Sequence, residues 1–480
     1  MLPTAAIAWL PWRAESFGRA RTEQKAVLLS LAPSWCPHSR RMDASTFSDE
    51  TVASLVHAKF VAIRVDADRR PDIGERYSLG GWPTTAFLTP DGDLLGGGTF
   101  VEPARLATAL RGVSEAVSRG NYSGRRVRPP VPAASAPAAV EQLIDRIHDA
   151  FDGDHGGFGD APKFPHAAPV RLALDIYGEK GSDRERDIAI TTLDAMGWGP
   201  LYDERDGGFF RYSQDADWGR PNEEKLLEVN AAMLDLYLTA FERLQLARYL
   251  ERAEDILRYL QTWLADPVDG GWAGSQCGDA AYYRNGQPHA EPPPIDRTLY
   301  TDWNAAMISA ALHAGQVMND PGLSEFAMRS LERLVLLCYR PGGGMAHYFD
   351  GTAQVRGLLA DQIAMATAQL DAYEATGNIV YEMLAEELAL HAANTMWDEE
   401  HGGFFDRAPD EGDVGLLTEP VKPFAGNCAA ARMLDRVART SKKPRFAELS
   451  ARTLAALQGR AAGEGPLAAE YVLAVRQSAR

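Results

Sequence analysis

Two groups of residues in this sequence have the types and spacing to do chemistry. The first is the run Trp35-Cys36-Pro37-His38-Ser39, which follows the apolar, strand-like stretch Ala26–Leu31 (AVLLSL) and leads into a helix-like segment. A cysteine at a strand-to-helix junction meets unpaired N–H groups and the positive end of the helix dipole, and both favour a thiolate. His38 adds positive charge when protonated. No second cysteine lies near Cys36 in the sequence to resolve a mixed disulfide, so Cys36 acts only as a lone nucleophile and dithiol reductase activity is not expected. The bland alternative is a retired redox fold in which Cys36 is a small, partly buried residue.

The second group is organised by a repeat. A glycine-rich signature recurs as Asp154-His155-Gly156-Gly157-Phe158, Asp206-Gly207-Gly208-Phe209-Phe210, Asp269-Gly270-Gly271-Trp272, Gly342-Gly343-Gly344-Met345 and His401-Gly402-Gly403-Phe404-Phe405, with a degenerate copy at Gly463-Glu464-Gly465. Successive first glycines are 51, 63, 72, 60 and 61 residues apart, and each interval holds two amphipathic helical segments. In the fourth segment, placed at 224–247, Leu226, Met233, Tyr237, Phe241 and Leu244 keep close to helical spacing. A helical hairpin that cannot bury its own apolar face must stack or close. Six of them predict an (α/α)6 toroid over 140–480, with an open solenoid as the alternative.

In such a toroid the glycine-rich turns lead into the even-numbered helices, whose N-termini share one mouth. Polar and aromatic residues gather there: Lys163-Phe164-Pro165-His166, Arg211-Tyr212, Asn222-Glu223-Glu224-Lys225, Thr301-Asp302-Trp303-Asn304, Asp361-Gln362 and Gly426-Asn427. Glu224, Asp302 and Asp361 are thus expected around one funnel, with Tyr212, Trp218 and Trp303 nearby. Carboxylates and aromatic platforms suit a sugar-like polyol, because rings stack on its apolar faces while acids bond hydroxyls or move protons. Glu224 and Asp302 are the candidate acid and base; Lys163, Arg211, Tyr212, Trp218, Trp303, Asn304 and Asp361 are the candidate binding residues. Capping is the competing account, since an Asp or Glu in a first helical turn is favoured by the backbone alone.

The elements ahead of the repeat read differently. Further apolar runs lie at Phe60–Val65 and Thr84–Leu88, the latter after Gly80-Gly81-Trp82-Pro83 and closed by Thr89-Pro90-Asp91-Gly92. Alternating strand and helix predict an α/β domain over 1–118. Residues 119–139 are rich in Pro, Ala and Arg, and read as a linker; Arg125, Arg126 and Arg128 are taken as its solvated charges.

The net charge of −17 argues against nucleic acid and anionic membranes as partners. No stretch approaches the ~18 apolar residues that span a bilayer, and no signal peptide is expected. The four cysteines, Cys36, Cys277, Cys338 and Cys428, form no CxxC pair. Neither a disulfide framework nor a metal site follows from them, and a reducing cytoplasm fits. P-loop, GxGxxG, HExxH and GxSxG signatures are missing, and no cofactor is expected.

Trp35-Cys36-Pro37-His38 resembles the thioredoxin active site, and Trp82-Pro83-Thr84 resembles its cis-proline loop, so Trp35, Cys36, His38, Ser39 and Pro83 are the thioredoxin-like site residues. Taken with Val65-Asp66, Arg70-Pro71-Asp72, Ala161-Pro162-Lys163-Phe164-Pro165, Arg211-Tyr212-Ser213, Glu224-Lys225 and Thr301-Asp302-Trp303-Asn304, these motifs resemble the thioredoxin-domain-containing family of the spermatogenesis-associated protein 20 type, the DUF255 group. The resemblance spans nearly the whole chain. It implies a thioredoxin-like fold joined to a six-hairpin glycosidase-like toroid, a fold whose related members include glycosidases and N-acylglucosamine 2-epimerases. The chain is a divergent member. Ser39 replaces the second cysteine, and Pro221-Asn222-Glu223-Glu224-Lys225-Leu226-Leu227 lacks the histidine of the family's Pro-His-Phe-Glu-Lys-Met-Leu.

Three functions compete. The first is a carbohydrate-active or carbohydrate-binding toroid with a degenerate thioredoxin-like domain; if an enzyme, it is glycosidase- or epimerase-like. A separation of about 5–5.5 Å between its two acids would indicate retaining chemistry and about 6.5–9.5 Å inverting chemistry. The second is a monothiol protein that engages a thiol partner through Cys36, which a buried sulfur would oppose. The third is epimerase-like proton transfer between His166 and His347, which requires both to face the funnel.

Overall fold

A computed structural model describes residues 7–125, 138–284 and 291–479. They form two compact units, Met1–Val131 with Pro409–Val421, and Pro132–Ala408 with Lys422–Arg480.

The first unit is an α/β domain. Its elements run α1 (Ala14–Thr22), β1 (Ala26–Leu31), α2 (Pro37–Ser45), α3 (Glu50–Lys59), β2 (Phe60–Val65), α4 (Pro71–Tyr77), β3 (Thr84–Leu88), β4 (Leu94–Gly98) and α5 (Pro103–Ser118). The sheet order is β2-β1-β3-β4, with β1 parallel to β2 and antiparallel to β3. All six residues of β1 are buried, as a central strand covered on both faces requires. Pro37 opens α2 at a position where its missing N–H costs nothing, and Asp49 caps α3 by accepting from the Val52 N–H at 3.0 Å. Arg125 hydrogen-bonds along β4 through Leu94, so the start of the predicted linker extends this sheet edge. Arg126 and Arg128, with the rest of 126–137, lie outside the described residues.

One piece of chain departs from the expectation of a continuous 140–480 toroid. Residues 409–421 belong to the first unit. Leu416 and Leu417 join a core with Trp12, Phe17, Ile73 and Tyr77. Tyr77 donates its hydroxyl hydrogen to the Gly92 carbonyl (2.7 Å) and accepts from the Leu416 N–H (2.7 Å). The buried Arg76 donates to the carbonyls of Leu416 and Glu419, both at 2.9 Å.

The second unit is the toroid. Its helices are α6 (Val140–Asp149), α7 (Ala167–Lys180), α8 (Asp183–Gly197), α9 (Leu227–Leu244), α10 (Ala247–Tyr259), the short α11 (Ala280–Arg284), α12 (Thr301–Val317), α13 (Pro321–Cys338), α14 (Leu359–Thr376), α15 (Ile379–Thr395), α16 (Phe424–Ser441), α17 (Pro444–Ala461) and α18 (Ala468–Ser478). Helices α7, α9, α12, α14, α16 and α18 each pack on the next, and α18 packs back on α7, so the ring is closed rather than an open solenoid. The other long helices form an outer layer, each against its inner partner. The inner helices are rich in Ala because they are covered by neighbours on both sides and by the outer layer, which leaves little room for large side chains.

Four of the glycine-rich turns are built alike. Asp152, Asp203, Asp266 and Asp398 each accept two loop N–H groups. A cation clamps each of these carboxylates: Lys163, Lys225, Arg333 and Lys422. At Gly208 the backbone has φ +83°, and a Cβ there would lie 2.5 Å from the Tyr259 ring, so the turn requires glycine on two counts.

Candidate functional site

The inner helices of the toroid surround a cavity of about 870 Å3. Each main contributor presents one stripe at three- and four-residue spacing: Glu228, Ala231, Ala232 and Asp235 from α9; Asp302, Ala306, Ala310 and His313 from α12; Ala360, Ala364, Thr367 and Asp371 from α14; Gly426, Ala429, Arg432 and Arg436 from α16. Small side chains in the middle of the stripes leave the space open, while charged groups sit toward their ends.

The charges toward the C-terminal ends of these stripes are neutralised by partners. Arg171 pairs with Asp235, Arg436 bridges Asp371 (2.7 Å) and Glu374 (2.9 Å), and Arg432 meets Glu470 (2.9 Å). His313 lies between Asp235 (Nδ1 to Oδ1, 2.7 Å) and Glu242 (Nε2 to Oε2, 3.1 Å). Burial works against charge on this ring, but the two carboxylates outweigh it and raise its pKa. A raised folded pKa means that the protonated ring stabilises the fold fully below its unfolded value of about 6.5 and loses that contribution as pH rises through the folded value. Wild type should therefore exceed His313→Gln in melting temperature most below about pH 6.5, with the gap narrowing at higher pH. A gap that does not change with pH would contradict this assignment.

The opposite end is different. Glu228 lies in the first turn of α9, roughly 10 Å along the helix from Asp235. It is reachable by water yet recessed in the cavity; burial, then the nearby Asp302 charge, raise it to about 7 against the pull of Arg211. Asp302, in the first turn of α12, is raised to about 6 by burial and by Asp361, with His347 opposing. It does not cap the helix, since Tyr300 holds that position; its Oδ1 accepts the N–H of Trp303 at 2.9 Å. Behind it, His347 Nδ1 stands 3.0 Å from Asp361 Oδ1. His347 is delivered by the strand Gly344–Phe349, which pairs antiparallel with Leu299–Tyr300 just before Asp302.

Of the residues singled out from the sequence, Asp302 lines the cavity, and Asp361 is packed behind it through His347. The others serve neighbouring structure. The predicted helix at 224–247 begins instead at Leu227, because Lys225-Leu226 pair with Ser275-Gln276 in a short ladder. Glu224 therefore lies ahead of the helix, buried, and accepts from Arg211 Nε at 2.7 Å. Lys163 is buried on Asp152 and donates to the Ala216 carbonyl at 2.8 Å. The buried Trp218 donates to the His155 carbonyl at 3.1 Å. Tyr212 stacks on Phe164 at 4.7 Å, and Trp303 tilts against Tyr300 at 4.7 Å. Asn304 is fully engaged with backbone. His166 stands at the residue before α7, beside Phe164, and is not among the side chains lining the cavity, so His166 and His347 do not converge there.

Glu228, Asp235, His313 and Arg436 were not singled out from the sequence. Their signal is present in retrospect: charged residues spaced three, four or seven apart on helices whose other faces are apolar or small. That pattern looks like an ordinary solvated face until the ring closes.

In the first unit, Cys36 is 3% exposed and precedes α2. Trp35 Nε1 donates to Asp68 at 2.7 Å. Ser39 and Pro83, the latter after a cis peptide bond, line a small pocket of about 190 Å3 together with Pro33, Arg40 and Asp66. Cys36 does not line it.

Among the described residues, no helix is long and apolar enough to cross a membrane. Residues 3–124 match the family model described as Thioredox_DsbH, protein of unknown function, DUF255. Spermatogenesis-associated protein 20 of Homo sapiens is 29% identical over 322 residues, 59% of this chain and 40% of that protein. The chain thus matches about 40% of the length of that curated relative. Among solved structures, cellobiose 2-epimerase from Bacillus thermoamylovorans is similar with a TM-score of 0.53 at 12% identity, over 65% of this chain and 85% of that one. A GH76 α-mannanase of Bacteroides thetaiotaomicron is similar with a TM-score of 0.50 at 12% identity, over 65% and 81%. At such identities the likeness is one of fold. The chain is accordingly similar to spermatogenesis-associated protein 20, with a DUF255 thioredoxin-like match over residues 3–124 followed by a six-hairpin α/α toroid.

Proposed function

We propose that the toroid is a carbohydrate-active domain that takes a sugar-like polyol into its central cavity, with Glu228 and Asp302 facing the ligand. The observation that carries this reading is the asymmetry of the cavity. The charges at one end are held in ion pairs with arginine and histidine, whereas at the other end burial outweighs the weaker pull of Arg211 on Glu228 and of His347 on Asp302, and both acids have raised pKa values. Near neutral pH Glu228 would be the more readily protonated of the two and Asp302 the more readily ionised, a division of roles that suits acid–base chemistry on a sugar. A cavity of about 870 Å3 falls within the range of small-molecule sites. The fold is shared with proteins described as a cellobiose epimerase and an α-mannanase, which makes proton transfer at a sugar ring or at a glycosidic bond the reaction class to test. All four cysteines are free and buried, which fits a reducing, cytoplasmic setting and gives Cys36 no exchange role in this reading.

The test is a thermal-shift screen of mono- and disaccharides and sugar phosphates against wild type, Asp302→Ala and Glu228→Gln. A compound that stabilises wild type by several degrees and leaves both variants unmoved is the expected result. If nothing in the library shifts a well-folded wild type, the polyol reading fails.

A further inference from the structure

Asp302, His347 and Asp361 stand apart from every other acidic cluster of the toroid. One donor atom from each lies within 4.8 Å of the others, and this is the one such triplet among the described residues. Several buried or half-buried acids elsewhere in the unit meet a full cation: Asp203 meets Lys225, Glu224 meets Arg211 and Asp371 meets Arg436. Asp361 is wholly buried, and the basic group beside it is the His347 imidazole. Its second oxygen, Oδ2, is buried with no hydrogen-bond partner. A buried carboxylate oxygen left in that state is costly and calls for a proton or an ion.

We infer that Asp302, His347 and Asp361 form a binding site for one divalent transition-metal ion, of the Mn2+ or Zn2+ kind, at the cavity wall. Two carboxylates and an imidazole are a mixed oxygen and nitrogen donor set of the type such ions accept. Donors around an ion at about 2.1 Å lie within about 4.2 Å of one another, so a small closing movement of the side chains completes the arrangement. The three ligands come from separate elements: Asp302 from the first turn of α12, His347 from the strand Gly344–Phe349, and Asp361 from the first turn of α14. Asp361 and His347 are buried, so the side on which Asp302 meets the cavity is the one left for exchangeable water or a ligand hydroxyl. The inference shares Asp302 with the polyol reading but is independent of any sugar. With an ion bound, Asp302 remains ionised and Glu228 is the carboxyl left to move a proton.

The experiment strips the full-length protein with a chelator and titrates it with MnCl2, ZnCl2 or MgCl2 alone, with no sugar present. Calorimetry gives the affinity, elemental analysis the stoichiometry and thermal shift the stabilisation. One Mn2+ or Zn2+ per chain is expected, with affinity reduced at least tenfold in His347→Gln and Asp361→Asn. Because Asp361 is buried, Asp302→Asn serves as the second variant; it faces the cavity and should fold normally by circular dichroism while losing affinity to a similar degree. A folded wild type that binds none of the three ions, or that binds one with the same affinity in all three variants, overturns the inference. Sugar stabilisation in metal-free protein combined with no metal binding would sink this inference and leave the polyol reading standing. Metal binding with no sugar hit would do the reverse.

Discussion

Replacing Asn304 by alanine is expected to destabilise the protein by about 3–5 kcal/mol, through loss of backbone support rather than loss of a ligand contact. The Asn304 amide donates to the carbonyls of Trp272 (3.0 Å) and Tyr300 (2.9 Å), and its oxygen accepts the Trp272 N–H (2.8 Å). All of this is buried, and each orphaned backbone group costs about 1–3 kcal/mol. The clamp recurs in three other repeats. Asn230 grips the backbone of Phe209, Gln362 that of Met345 and Asn427 that of Phe404, each also reaching the carbonyl four residues before it. A side chain used identically four times around a ring holds each glycine-rich turn to its inner helix, whatever the cavity contains. Urea denaturation of Asn304→Ala and Asn427→Ala should show similar losses. A variant within about 0.5 kcal/mol of wild type would mean that Asn304 is not structural.

Lys225→Met is the second large effect, expected at about 3–5 kcal/mol. Lys225 has no exposed surface; its ammonium bonds the Asp203 carboxylate and the Gly207 carbonyl (2.7 Å), with the ring centroids of Tyr259 and Tyr283 at 4.5 and 4.8 Å. Burial lowers its pKa, and Asp203 opposes that shift. Removing the cation strands a buried carboxylate, which is costlier than never having had the pair. The Lys225→Met, Asp203→Asn double variant should therefore lose less than the sum of the two single losses, by at least 1 kcal/mol in a double-mutant cycle. Strict additivity would show that the two groups do not act as a unit.

Both predictions fall on residues that look functional in the sequence. Asn304 and Lys225 are polar, recur beside conspicuous turns and lie next to Asp302 and Glu224. Polarity at a helix start is the same signal whether the group faces a ligand or a neighbouring backbone, and linear spacing does not distinguish the two. Glu224 and Glu228 show how fine the distinction is. They are one helical turn apart in number, but the ladder of Lys225-Leu226 with Ser275-Gln276 delays the helix start to Leu227. That shift leaves Glu224 on Arg211 and presents Glu228 to the cavity.

The sequence by itself determined the two-part architecture and the six-hairpin plan. Apolar periodicity and recurrent glycines report local backbone states, and those are written in adjacent residues. The place of Asp302 in the first turn of a helix was legible for the same reason. Tertiary structure alone decided three other things. Ring closure turned small-residue stripes on four inner helices into one cavity. Strand pairing carried His347 to a point between Asp302 and Asp361, across 45 and 14 residues of chain. Packing drew residues 409–421 into the core of the first unit, although their sequence neighbours on either side belong to the toroid. Each of these depends on contacts between segments far apart in the chain, set by which buried surfaces fit together, and no local pattern encodes that fit.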